Sequence, residues 1–433
     1  MLTVPFTFDA LAGLAIGLVF TLVCLRDMSR AVLWYVALAW VPFFQVATFS
    51  GGQATEGFMQ VEWLATIMIV VWLLKRPPFR PHGIIRTSFN APLLLMIPLS
   101  IVSLVIGFAG VDPAIDASHV KLSVSIGQIL LAVWPIGIYF VVANSINRPE
   151  SVRKVVRLVI LLALPAIALP LATTRIRPYL EWSLYFALAA SPYCFAASLQ
   201  ARPFLRKVGW IALALVPIVY GAQTGKALWY VAPLAGGCVV AALRARRQLV
   251  ALLPVALGLY LLVYVPLSGS PLPGPLRRLV AVEERQQSLG GRAGRVALAL
   301  DTIRIWRRYP VFGVGPGNNY PYMDHYSVIA TPHDQYLTIL LEMGIVGLAS
   351  YLAFLVGAFK TGLDLLRSVR DRFHETYVLG WLGLFAGMAV GGLLGDFSLP
   401  SIRNGGIVTL SLYYLQWVML GLMVAVKRIE VAR

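Results

Sequence analysis

The side chains of this 433-residue chain that could carry proton or anion chemistry collect in a few polar stretches between long apolar runs. His333 stands in T-P-H-D-Q-Y-L-T-I-L-L-E-M-G-I-V-G-L, directly after Pro332, where a polar segment gives way to an apolar one. An imidazole that titrates near neutrality suits a general base that takes a proton from an alcohol. The polar segment before it holds Arg277, Arg278, Arg285, Arg292, Arg295, Arg304, Arg307 and Arg308. Lys226, in Q-T-G-K-A-L-W, lies between apolar runs with no acid close in sequence, and Arg175 and Arg177 occupy another short connection. Cations so placed can hold an anion or neutralise charge that develops during a reaction. The plainer alternative is a structural histidine, with arginines that pair with Glu283, Glu284, Asp301 or Asp324; His82, His119, His325 and His374 are read as structural.

The elements that must position these groups are membrane helices. The chain is 59% hydrophobic and 13% charged, and it contains apolar runs of about 17 to 25 residues, each enough to cross roughly 30 Å of hydrocarbon. The runs are Phe8 to Leu25, Ala31 to Thr48, Phe58 to Leu74, Ala91 to Ala109, Leu122 to Ala143, Val155 to Ala172, Tyr179 to Leu199, Val208 to Ala222, Ala227 to Leu243, Leu249 to Pro266, Gln335 to Ala358, Tyr377 to Gly395 and Gly406 to Val426. They lack the alternation of barrel strands and are too long for them, which predicts an all-α, polytopic bundle of about 12 to 13 spans. No Ser- or Gly-rich linker divides it, so residues 1–433 read as one integral-membrane domain. Pro42, Pro98, Pro135, Pro165, Pro217 and Pro233 fall inside runs and are expected as kinks. Cys24, Cys194 and Cys238 also lie in apolar runs and read as small buried side chains.

Charge sets the orientation. Alternate connections hold Arg26 and Arg30; Lys75, Arg76, Arg80 and Arg86; Arg148, Arg153 and Lys154; Arg202, Arg206 and Lys207; Arg244, Arg246 and Arg247; Lys360, Arg367, Arg370 and Arg372; and Lys427, Arg428 and Arg433. By the positive-inside tendency these face the cytoplasm, which puts the N-terminus outside, the C-terminus inside and residues 267–333 in a large outer loop. Much of the net charge of +17 is therefore a topology signal facing an anionic leaflet, and nucleic acid is not an expected partner. Lys226, Arg175, Arg177 and the loop arginines break the tendency, and an anionic ligand on the outer face is the functional reading of that break.

The outer loop opens with S-G-S-P-L-P-G-P, which cannot continue a helix. From Gly294 to Arg308 the spacing predicts an amphipathic helix, with Val296, Leu300, Ile303 and Trp306 on the apolar face and Asp301, Arg304 and Arg308 on another. The glycines of Y-P-V-F-G-V-G-P-G-N-N-Y permit positive φ, but no Gly-Lys-Ser/Thr follows and no strand precedes, so nucleotide binding is not expected. The helix and the Gly-rich turn are expected to close over the site and exclude water. No Asp-x-Asp, His-x-x-x-His or acid cluster lies on the outer face, so no metal and no cofactor is predicted.

The segment from Gly294 to Leu348 resembles the signature of the O-antigen ligase and polysaccharide polymerase superfamily. That pattern is an arginine, then a P-L-hydrophobic-G-hydrophobic-G-P-G stretch, then H-N-x-hydrophobic-L and E-x-G-hydrophobic-hydrophobic-G. Arg295 and Pro310 show the spacing, and Lys226 in T-G-K-A-L stands where the family has a basic residue, usually Arg, at a helix end. Asp334 stands where Asn is usual after the histidine, and Ala299 where Trp is usual. The resemblance implies a GT-C-like membrane glycosyltransferase of the bacterial inner membrane, with an active site facing the periplasm. It implies an undecaprenyl-diphosphate-linked glycan donor, either another glycan or lipid A-core as acceptor, and an inverting transfer. His333 would be the base; Arg295 and Lys226 would hold and neutralise the diphosphate, assisted by Arg292, Arg175 and Arg177. The departures point to a polymerase of O-antigen or exopolysaccharide rather than a ligase, with membrane lipid and a chain-length regulator as partners. A transporter or flippase for a lipid-linked sugar is the reading from another class, and it would need ionisable groups deep within several spans, where Glu62 and Glu181 are the main cases.

Overall fold

The computed structural model describes residues 2–3, 8–40, 45–51, 54–75, 84–116, 120–171, 177–224, 228–244, 295–327, 332–395, 399 and 407–432. The protein is a polytopic helical membrane protein. Its helices are α1 (Phe8–Arg26), α2 (Met28–Leu38), α3 (Gln60–Lys75), α4 (Asn90–Ala109), α5 (Leu122–Ser145), α6 (Pro149–Ala163), α7 (Arg177–Gln200), α8 (Phe204–Thr224), α9 (Leu228–Arg244), α10 (Arg295–Trp306), α11 (Asn319–Tyr326), α12 (Gln335–Ser368), α13 (Arg372–Gly391) and α14 (Ile407–Val431). Every predicted run falls at least in part on a helix except Leu249 to Pro266, which lies outside the described residues. Among the described residues α4, α5, α8 and α12 are long and apolar enough to cross a membrane.

Two predicted spans need correction. Ala31 to Thr48 is not one helix: α2 ends at Leu38, and the chain pairs instead in a small antiparallel sheet of β1 (Leu2–Thr3), β2 (Gln45–Gly51) and β3 (Ala54–Met59). Gly51 lies opposite Ala54, and the β-branched and aromatic residues of V-A-T-F before a Gly-Gly pair favour a hairpin over a continued helix. Val155 to Ala172 also divides, since α6 ends at Ala163 and Leu164–Leu171 winds as a 3₁₀ helix. Pro165 sits just past the end of α6, where its missing N–H and its ring oppose an α-helical turn. Pro98, Pro135, Pro217 and Pro233 lie inside helices as expected; Pro42 lies outside the described residues. Cys24 and Cys194 are buried, but Cys238 is exposed, because one face of α9 is left uncovered.

The centre of the bundle is α14, whose residues from Tyr414 to Val426 are all buried, as a helix apolar on every side must be. Without a hydrophobic drive between helices in lipid, close packing brings them together, and small residues permit it. Thus a Cβ built on Gly236 of α9 would lie 2.5 Å from the carbonyl of Gly383 in α13. The cationic connections gather at one end. Arg153 pairs with Asp371 at 2.9 Å and Arg244 with Glu375 at 2.8 Å. Arg372 donates to the Gln200 carbonyl at 2.8 Å, and Lys75 to that of Cys24 at 3.0 Å. Antiparallel neighbours then carry the starts of α5, α9 and α12 and the ends of α4, α8 and α13 to the opposite end, where the candidate site lies.

Candidate active site

His333 sits on the surface at the start of α12, with φ of +50°, and it is the one non-glycine residue with positive φ among the described residues. The left-handed region costs an L-residue energy, so a side chain is held there only when its surroundings determine it. The surroundings are rigid. The Asp334 carboxylate caps α12 by accepting from the N–H groups of Tyr336 and Leu337 at 2.8 and 2.9 Å. Asp and Asn are comparable in that role. The Gln335 N–H donates to the Gly392 carbonyl at 2.7 Å, and the Gln335 side-chain oxygen accepts from Leu399 N–H at 3.0 Å. The Tyr336 hydroxyl donates to the Ala389 carbonyl at 2.6 Å. α12 therefore begins clamped to the end of α13.

Below the histidine a small cavity of about 30 Å³ is lined in part by Ser100, Gln128, Gln335, Thr338 and Glu342. It has room for a water molecule or two among several polar partners.

The Gly-rich turn is not a lid. Val314 N–H donates to the Leu341 carbonyl at 2.8 Å and Gly315 N–H to that of Glu342 at 3.0 Å, while Ile345 N–H donates to Pro310 at 2.9 Å. These bonds need an opening in α12, and Gly344 provides it with φ of +66°. A Cβ there would lie 2.1 Å from the Val311 carbonyl oxygen, so only glycine fits. The buried Glu342 carboxylate accepts from Gly317 N–H at 3.0 Å, and the Ser103 hydroxyl of α4 reaches the Phe312 and Glu342 carbonyls at 2.6 and 2.5 Å. The motifs P-V-F-G-V-G-P-G and E-M-G are thus two sides of one interlock, a role for Glu342 and Ser103 that residue-by-residue reading had missed. The motif spacing was visible in the sequence; their pairing was not.

The amphipathic helix forms as α10, but its buried face is shifted. Leu298, Thr302 and Ile305 are buried, against a cluster that includes Val314, Tyr322 and Leu341, whereas Leu300 is 57% exposed. Both stripes have helical spacing and both are apolar enough, since in a membrane protein the outward stripe need not be polar. Arg304 pairs with Asp301 at 2.8 Å, as the plainer reading allowed. Arg308 pairs with Asp112, on the connection after α4, at 3.1 Å, and with the Tyr326 hydroxyl at 2.8 Å, while its guanidinium lies 4.7 Å from the Tyr326 ring centre. The Tyr326 hydroxyl, donating to Asp112 at 2.6 Å, holds that carboxyl below its ordinary range, with help from Ala114 N–H and Arg308.

Of the other predicted site residues, Arg295 begins α10, and its side chain lies outside the described residues, as does that of Arg177 at the start of α7. Lys226, Arg175 and Arg292 also lie outside them. The helices that flank Lys226, α8 and α9, nonetheless end and begin at the His333 end of the bundle. α9 runs antiparallel to α13, with Arg244 beside Glu375 at one end and Ala232 against Gly387 towards the other, where Gly392 holds Gln335. Among the described residues no three His, Cys, Asp or Glu side chains group together in a manner that would hold a metal ion.

A helical membrane protein whose strained histidine starts a clamped helix, beside a glycine interlock, is the class that these observations define. Residues 210–352 match the family model described as O-antigen ligase, a segment that contains Lys226, Arg295, the Gly-rich turn and His333. The match supports membership of the chain in the O-antigen ligase and polymerase superfamily, and with it a function of the ligase or polymerase type on a lipid-linked glycan and an acceptor. No curated protein matches the chain.

Proposed function

We propose that the protein is a polysaccharide polymerase of the O-antigen or exopolysaccharide type, in the bacterial inner membrane with its site towards the periplasm. It transfers a glycan from an undecaprenyl diphosphate carrier to the hydroxyl of a second carrier-linked glycan. The observation that carries this reading is His333, exposed yet held at positive φ on the capped start of α12. In a single displacement the acceptor oxygen attacks C1 from the face opposite the leaving group, which inverts that carbon. His333 takes the hydroxyl proton as the new C–O bond forms, and the pair of electrons of the breaking bond leaves on the diphosphate. Arg295 and Lys226, with Arg292, Arg175 and Arg177 as further cations, stabilise the charge on that leaving group and make a divalent metal unnecessary. Acceptance of lipid A-core in place of a second carrier-linked glycan would make the protein a ligase instead. A transport role would rest on ionisable groups within spans, of which Glu62, buried and accepting from the Tyr414 hydroxyl at 3.2 Å, is one of the main cases.

The test is transfer in vitro from a defined undecaprenyl diphosphate-linked repeat, with EDTA present. His333→Ala is expected to bind the donor normally and to lose about 10²-fold to 10⁴-fold in rate, the usual worth of positioned proton transfer. Lys226→Ala and Arg295→Ala are expected to weaken donor binding as well, because the diphosphate is charged before the transition state. Undiminished transfer by a well-folded His333→Ala protein would remove the histidine from the chemistry.

A further inference from the structure

At the end of the bundle opposite His333, a cavity of about 320 Å³ opens between the end of α7 and the starts of α8 and α13. Arg202, Arg206 and Arg372 line it together with Tyr193 and Trp210, whose rings meet edge-on at 6.2 Å, and no carboxylate is among the lining residues. Three acids of this end are engaged elsewhere. Asp371 pairs with Arg153 at 2.9 Å, Glu375 with Arg244 at 2.8 Å and Glu430 contacts His374 at 2.6 Å. Among the described residues Arg372 donates to neutral acceptors alone, the Gln200 carbonyl at 2.8 Å and side-chain oxygen at 3.2 Å. Three guanidinium groups thus share one concavity with no described anion to balance them.

The first turn of α8 beside the cavity supplies a second, independent observation. Phe204 and Leu205 are 76% and 83% exposed, directly between Arg202 and the Arg206–Lys207 pair. Water makes such exposure unfavourable, but at the boundary of headgroups and acyl chains apolar tips enter hydrocarbon while neighbouring cations reach phosphate. Guanidinium groups bind phosphate oxygens in a planar, forked geometry, and basic pockets between helices recognise anionic headgroups.

We propose that this cavity binds the phosphate headgroup of an anionic phospholipid of the surrounding membrane, with its acyl chains against Phe204 and Leu205. A soluble phosphate would share the guanidinium contacts but would leave the apolar pair without a role.

The experiment uses the full-length protein, delipidated in detergent and titrated with phosphatidylglycerol or phosphatidylethanolamine, with bound lipid counted by native mass spectrometry. Wild-type protein is expected to prefer phosphatidylglycerol by about tenfold or more, as two or three cations near a headgroup imply. The double variant Arg202→Gln/Arg206→Gln should lose that preference, while Lys154→Gln/Lys360→Gln, which removes the same charge elsewhere, should keep it. Arg202 and Arg206 are exposed and form no ion pair with a described residue, so the variant is expected to elute as folded protein. Phe204→Ala/Leu205→Ala should weaken phosphatidylglycerol binding with the arginines intact. Retention of the preference by the arginine variant, its equal loss in the lysine control, or an unaltered affinity in the apolar variant would overturn the proposal. Displacement of the lipid by millimolar inorganic phosphate would assign the site to a soluble anion instead.

Discussion

Pro310 to Asn319 and Pro332 to Gln335 belong to one signature in the sequence, yet the fold treats them in opposite ways. The first is buried from Gly313 to Asn319 against α4 and α12, its glycines at positive φ and N–H groups of Val314, Gly315 and Gly317 satisfied by α12 carbonyls and by Glu342. The second leaves His333 on the surface, at a positive φ where glycine would be the easier residue. Where the backbone conformation needs glycine, glycine is present, and the signature there is architecture. Where a histidine occupies a conformation that glycine prefers, the backbone strain is the observation that our assignment of His333 as the base would account for.

That contrast can be broken most severely at Gly344. A Cβ would lie 2.1 Å from the Val311 carbonyl oxygen, on a φ of +66°, so Gly344→Ala should unhook the turn and prevent accumulation of folded protein, read by fluorescence-detected size exclusion. A monodisperse variant of normal thermal stability would mean that the interlock is dispensable.

The opposite experiment is His333→Gly. It should lose transfer by about 10²-fold to 10⁴-fold, while its thermal stability changes by no more than about 1 kcal/mol, because relief of the backbone strain offsets the contact that the side chain makes. A marked fall in melting temperature would assign the histidine to the architecture as well.

Glu342→Ala tests the interlock from its other side. It leaves the Gly317 N–H without its acceptor in a buried place and should cost about 1 to 3 kcal/mol, measured by chemical or thermal unfolding in detergent. Glu342→Gln, which keeps an oxygen at the same position, should cost clearly less; equal losses would show that the carboxylate charge, and not the acceptor, is what the turn requires.

The smallest effect concerns Asp112, whose carboxyl is held below its ordinary value of 3.8 by the Tyr326 hydroxyl first, then by Ala114 N–H and Arg308. A carboxyl depressed on folding adds stability that is fully present above its unfolded value and fades as pH falls through the folded one. Asp112→Asn should therefore melt lower than wild type at neutral pH, and the gap should close as pH is taken below about 4. A gap that persists in acid would place the cause in packing of the loop rather than in its charge.

Much of this protein was legible beforehand because the membrane restricts the choices. Long apolar runs must be helices, cations mark one end, and His333 could be placed at a helix start because Pro332 precedes it and an apolar run follows. Other elements escaped for identifiable reasons. α10 has two apolar stripes, Val296, Leu300 and Ile303 against Leu298 and Ile305, and periodicity gives the helix but not which stripe faces the bundle. Arg308 found its acid in Asp112, far away in sequence, which is not among Glu283, Glu284, Asp301 and Asp324, the partners that the loop offered. The run from Ala31 to Thr48 is largely apolar, and only the presence of partners at Thr3 and Gly57–Met59 places its last residues, Gln45 to Thr48, in a strand.

The sequence by itself determined the class of fold, the end of the bundle that carries cations, and the residue types at the site, since these follow from transfer of apolar groups into hydrocarbon and from local helix chemistry. Only the tertiary structure decided that the Gly-rich turn enters a break in α12, that Glu342 receives Gly317, and that His333 bears backbone strain. Each of those depends on atoms brought together from distant parts of the chain, and no local propensity encodes the distance between them.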